Sequence, residues 1–149
     1  MAGSLFGRLR ALLERLRSTG RDPGLLGLDP SRGDLVVVVR GFDEVQACSA
    51  ALDEAVAWRA QEPALLRHHL RLPPDQRPQA AAIAAQEDYA PAEGVEDGVL
   101  ILQRVQRLDA LHCAQERSRM VGLAQRLGGE LLGWDGLQVP EQPPDAPGR

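Results

Sequence analysis

Gly128-Gly129-Glu130-Leu131-Leu132-Gly133-Trp134-Asp135 follows an apolar-periodic segment and carries one of the chain's two tryptophans. Paired glycines supply the left-handed stop that a residue with a side chain resists, so the stretch before them reads as a helix and the stretch after them as a strand. Helix, stop and tryptophan-bearing strand together make a packed corner rather than a loop. Upstream, Cys113, Met120, Leu123, Ala124 and Leu127 line one side of this last helix, and Asp109 stands where its N-cap belongs. The strand is expected to run from Glu130 to Val139.

The same reading extends toward the N-terminus. Val99-Leu100-Ile101-Leu102 is a fully apolar strand that turns half-polar from Gln103 to Arg107, which places its far end at a rim. Leu66, His68, Leu70 and Leu72 alternate with Arg67, His69 and Arg71, so residues 65 to 72 predict a strand with one apolar and one basic face, ended by Pro73-Pro74. Asp75 is a candidate cap for a helix over Ala80 to Gln86, where Pro78 is tolerated in the first turn. Leu35-Val36-Val37-Val38-Val39 is β-branched on both faces, as expected of a central strand covered on at least one side. Asp43 and Gln46 then form a capping box for a helix that buries Val45, Cys48, Leu52 and Val56 and stops before Pro63.

The strands are few, and the connections at Gly33 and Pro73-Pro74 are not phosphate loops. The expected fold is therefore α+β, a ferredoxin-like sandwich: a four-stranded, mainly antiparallel sheet with helices on one face, plus an N-terminal amphipathic helix. Residues 1–20 supply that helix, with Leu5, Leu9, Leu12, Leu13 and Leu16 at helical spacing and Arg8, Arg10, Arg15 and Arg17 beside them. Residues 21–33 read as a Pro/Gly linker, residues 34–139 as one domain, and residues 140–149 as a disordered Pro-rich tail.

Composition narrows the function. All 17 basic residues are arginine, a bias that points to a GC-rich coding sequence, and the net charge is -4. An acidic chain is poorly suited to neutralise phosphates, so no direct nucleic-acid binding is expected, whereas a basic protein partner is allowed. The two cysteines, Cys48 and Cys113, lie in helical patterns and read as reduced thiols. No stretch approaches the ~20 apolar residues of a spanning helix, and a cytoplasmic protein is expected. The Arg-rimmed N-terminal helix leaves a membrane-surface adaptor as an alternative.

No cofactor, metal or catalytic constellation is expected. His68 and His69 are adjacent on a strand and point to opposite faces, so they cannot share an ion, and His112 beside Cys113 on a helix is little better placed. His68 reads as a core histidine with a hydrogen-bonded ring, His69 as part of the basic face. A small enzyme or metal-binding protein using His68, His112 and Cys113 is the alternative function. The more promising feature is the acidic run Glu87, Asp88, Glu93, Glu96 and Asp97, with no basic residue between positions 87 and 97. It reads as a solvated loop that an arginine- or lysine-rich partner would recognise. Trp134, with Asp135 beside it, is either a core anchor or an interface hot spot.

Several short motifs recur in one order: Gly20-Arg21-Asp22-Pro23 after the first helix, His68-His69-Leu70, Glu96-Asp97-Gly98, and the last helix running into Gly133-Trp134. In order and spacing they resemble the RraB family, the regulators of ribonuclease activity B, over residues 65 to 139. The stretch from Gly24 to Pro63 has no clear counterpart there, and Leu131-Leu132 stand where Tyr-Asp is usual. The resemblance implies a protein that binds an endoribonuclease and lowers its activity without cleaving anything. Glu87, Asp88, Glu93, Glu96, Asp97, Trp134 and Asp135 are the residues expected to meet that partner.

Overall fold

The computed structural model describes residues 27–92 and 96–141. Its elements are β1 (Val36–Gly41), α1 (Cys48–Glu54), β2 (Ala64–Arg71), a 3₁₀ turn (Pro74–Gln76), α2 (Arg77–Ala85), β3 (Ala90–Pro91), β4 (Val99–Gln106), α3 (Ala110–Arg126) and β5 (Glu130–Gln138). The helix expected over residues 1–20, Glu93, and the expected tail beyond residue 141 lie outside the described residues.

One sheet has the order β1-β5-β2-β4-β3, and every neighbouring pair is antiparallel. It follows that β4 and β5 run the same way with β2 between them, joined by α3 as a split β-α-β unit. Residues 64–138 alone make a β-α-β-β-α-β unit with strands in the order β5-β2-β4-β3, while β1 and α1 extend the sheet beyond β5. The α+β class and the antiparallel sheet agree with the sequence reading. The sheet has five strands rather than four, because Ala90–Pro91 pairs with Gln103 and Leu102 inside the segment read as loop.

The alternation in β2 does what its pattern predicts. Leu66 and Leu70 face the helices together with Leu100 and Leu102 of β4 and Trp134 of β5. Cys48, Ala51 and Leu52 of α1, Ala80 and Ala84 of α2, and Cys113, Met120, Leu123 and Ala124 of α3 close this core from above. Each large apolar side chain buried there contributes about 1.5–3 kcal/mol. On the opposite face, Leu65 and Leu137 pack under Leu28, so a residue of the expected linker is part of the fold. Asp109 caps α3 by accepting from the His112 amide at 2.8 Å, and Gly128 ends it at φ 79°, a conformation open to glycine and strained for other residues.

Three local expectations need correction. β1, read as a central strand, lies at the edge of the sheet with Val36 and Val37 exposed; a β-branched run looks the same whether one or both of its sides find a strand. The helix expected from Val45 shrinks to Cys48–Glu54, leaving Val45 92% and Val56 100% exposed. Asp43 instead folds a turn, its Oδ1 accepting from the Val45 amide at 2.9 Å and its carbonyl from the Gln46 amide at 3.2 Å. Asp75 does not cap α2: it sits in the 3₁₀ turn, and Gln76 at the N-cap makes no side-chain bond to the helix.

Candidate functional site

Polar chemistry concentrates in three places. The first is buried between sheet and helices, where β2 supplies His68, β4 supplies Arg104, α3 supplies Glu116, and the chain leaving α2 supplies Tyr89. The Tyr89 hydroxyl donates to Glu116 Oε2 at 2.8 Å and lies 3.4 Å from His68 Nε2. Arg104 pairs with Glu116 at 3.2 Å, donates to the Glu87 carbonyl at 2.9 Å, and sets its guanidinium over the Tyr89 ring at 4.6 Å. Cation–π attraction and the ion pair thus fix the same side chain. At the surface, Arg119 bonds Glu87 at 2.9 Å.

Burial sets the protonation states. It pushes His68 down to about 3, against a weaker opposing pull from Glu116, so the ring is neutral. Burial would raise Glu116, but Arg104 and then Tyr89 outweigh it and hold the carboxyl below its usual range. The Tyr89 hydroxyl is pushed up, chiefly by burial. A neutral imidazole, a carboxylate and a guanidinium closed off from water tie β2, β4, α3 and residues 87–89 together, but they give no substrate a way in.

The neutral ring has a pH consequence. Unfolded, His68 takes up a proton below about pH 6.5; folded, it resists until about pH 3. Its contribution to stability is complete above pH 6.5 and is lost as pH falls through this window, by at most about 1.4 kcal/mol per pH unit. His68→Gln should flatten that part of a urea-midpoint-against-pH curve. An unchanged slope would assign the acid sensitivity to other groups.

The second place is the acidic segment, and the fold divides it. Glu87 is bonded to Arg119. Asp88 makes the turn into β3 at φ 66°, and Tyr89 between them and the strand is buried. Glu96 and Asp97 lie beyond β3, in the turn that leads into β4, where the Glu96 carbonyl accepts from the Val99 amide at 3.0 Å and Gly98 takes φ 84°. Both are exposed, and their carboxylates have no partner among the described residues. The Leu72 amide reaches the Gly98 carbonyl at 3.4 Å, which brings the turn holding exposed Asp75 to the same end of the sheet.

The third lies on the sheet face away from the helices. Arg67, His69 and Arg71 share it, as the alternation predicts. Asp135 stands opposite Arg67 in register and accepts from its Nε and Nη2, each at 2.7 Å, with His69 Nε2 at 3.1 Å from the same carboxylate. Phe42 covers His69, ring centroids 5.1 Å apart. Burial would raise the Asp135 carboxyl; the bonds from Arg67 and His69 outweigh it and hold it low. Arg71 pairs with Glu130 at 3.1 Å.

Trp134 and Asp135, grouped in the sequence reading as one contact surface, thus point to opposite faces. Trp134 is 1% exposed and sits in the helix-side core, against a strand whose Gly41 leaves room for the ring: a Cβ there would collide with the indole nitrogen. Asp135 is almost wholly covered and its charge is met by Arg67. Neither presents itself to a partner at the surface of the folded chain. The sequence reading missed the acid–base pairing of Asp135 with the basic face; an acid on the neighbouring strand was the available signal.

His68, His112 and Cys113 do not converge. His112 is exposed on the first turn of α3, its Nδ1 against Asp109, while Cys113 and Cys48 are free, buried thiols, that of Cys113 pushed up by burial and by Cys48. No group of three metal-ligating side chains occurs among the described residues. A cleft of about 400 Å³ at the α3–β5 corner is lined by Phe42, Arg117, Val121, Leu131 and Leu132 among others. Its Arg117 is occupied by the carbonyls of Gln46, Glu44 and Asp43 at 2.8–3.3 Å. Among the described residues no helix is long and apolar enough to cross a membrane. No family model matches the chain, and no curated protein and no solved structure matches it.

Proposed function

We propose that the chain is a non-catalytic regulatory protein of the cytoplasm that binds a basic protein segment through its acidic end. An endoribonuclease or another RNA-processing enzyme is the partner that its likeness to RraB implies. The observation that carries this reading is the pair Glu96 and Asp97: adjacent, exposed carboxylates without a counter-charge among the described residues, with Asp75 nearby. Of the groups that could serve as base or nucleophile, His68 and Cys113 are shut in the core, and His112 is exposed at the start of α3 against Asp109, away from both. Supporting the ferredoxin-like reading, the strand order of residues 64–138 is that of a β-α-β-β-α-β sandwich, over almost the same span as the RraB-like motifs. Glu87 enters this reading as a holder of the segment, through Arg119, more than as a contact.

Opposite charges speed encounter in a salt-dependent way, so Glu96→Arg/Asp97→Arg should slow capture of the partner by about tenfold at low salt. The melting temperature should stay within a degree or two, as expected for exposed, unpaired positions. The partner is first isolated by affinity capture with the parent chain, and association rates are then compared at low and high salt. Equal rates for parent and variant, or a parent rate indifferent to salt, would remove the acidic end from the binding surface.

A further inference from the structure

We propose that β1 is a dimerisation strand, its free edge pairing antiparallel with β1 of a second copy of this chain so that two five-stranded sheets join across a two-fold axis. The inner side of β1 is paired with β5, and its outer side carries a row of backbone donors and acceptors that no described strand meets. Edges of this kind are usually blunted. The opposite edge is: β3 is two residues long and contains Pro91. β1 has six residues, Val36-Val37-Val38-Val39-Arg40-Gly41, with no proline and one charge, and its one irregularity is a bulge between Val37 and Val39.

The surroundings agree. Of the large apolar side chains exposed among the described residues, Val36, Val37, Phe42, Val45 and Val56 all come from β1 or from the stretch around α1 that follows it, and only Leu111 lies elsewhere. A cleft of about 380 Å³ runs beside this edge, lined by Val37, Val38, Val39 and Arg40 of the strand and by Ala51, Glu54 and Ala55 at α1. An added strand would seat its helix-side side chains there.

Charge selects a second copy and its direction. A two-fold axis at Val37 lays Val37 on Val37 and brings Arg40 of each copy toward the end of the strand before which the other carries Asp34, an exposed carboxylate in the preceding turn that also holds its own Arg32 at 2.7 Å. Parallel pairing in register would set Arg40 against Arg40, and like charges directly opposite are destabilising. Such a two-fold contact is self-complementary: the same patch serves both sides.

Sedimentation equilibrium of the full chain, from low micromolar to a few hundred micromolar, should show a monomer–dimer equilibrium. Val37→Lys should raise its dissociation constant about tenfold or more, since a charge on an edge strand opposes edge pairing. Val37→Cys should give a disulfide-linked dimer on mild oxidation, whereas Leu111→Cys, exposed on α3, should not; the native thiols are buried. Should either Val37 variant misfold, amide exchange of the parent chain decides: protection of residues 36–41 should rise with concentration. A parent chain that stays monomeric throughout, a Val37→Lys variant that dimerises as tightly, or β1 exchange indifferent to concentration would each overturn the proposal.

Discussion

Trp134→Ala is expected to lower the free energy of unfolding by about 3–5 kcal/mol, the range for removing a buried aromatic ring. The indole is 1% exposed, lies on a strand flanked on both sides, and packs in the cluster formed by Val39, Leu66, Ala51, Leu52 and Cys113. Its nitrogen has no hydrogen-bond partner, so truncation loses packing and leaves a cavity without stranding a polar group elsewhere. Urea unfolding followed by circular dichroism measures the loss. A shift below about 1 kcal/mol would place the ring outside the core, since surface substitutions rarely cost more.

Glu116→Ala should cost a similar amount, about 3–5 kcal/mol, for a different reason: it leaves the Arg104 guanidinium buried without its carboxylate. Arg104 would keep the Glu87 carbonyl and the Tyr89 ring, but its charge would stand uncompensated in an interior of low dielectric. Removing both charges distinguishes the explanations. The double variant Glu116→Leu/Arg104→Met should recover much of the loss, because a well-packed apolar pair of similar volume can replace a buried ion pair without penalty. If the double variant is as unstable as the single one, packing around Glu116 rather than its charge explains the effect.

Local pattern was readable where the residues that decide it are close in sequence. The alternation from Leu65 to Arg71 announces a strand with two chemically distinct faces, and Asp109 and Gly128 mark both ends of α3. Other features depend on partners far along the chain. Nothing near Val36–Val39 tells whether one or both edges of that strand are met, and Ala90–Pro91 is too short to carry a period. Arg67 meets Asp135 across 68 residues, and Tyr89 meets Glu116 across 27. The acidic run was visible as composition, but its division was not: Arg119, which occupies Glu87, lies beyond two strands, in α3. Trp134 and Asp135 were read as one surface because they are neighbours, while neighbours on a strand face opposite ways.

The position of β5 sets the order in which this chain can assemble. It is the last of the described strands to be synthesised and lies second from the edge, between β1 and β2. A growing chain can zip β2 to β4 once residue 106 is available, and α2 can settle on that pair. β1 must wait: until Glu130–Gln138 emerges its valines have no strand beside them, and α1 has no finished sheet to cover. The first of the described strands is therefore incorporated last, so its apolar run stays open to other chains until β5 emerges, and unpaired strands are prone to aggregate. A fragment ending before residue 130 would keep the β2–β4 pair and lose the strand that joins β1 to it.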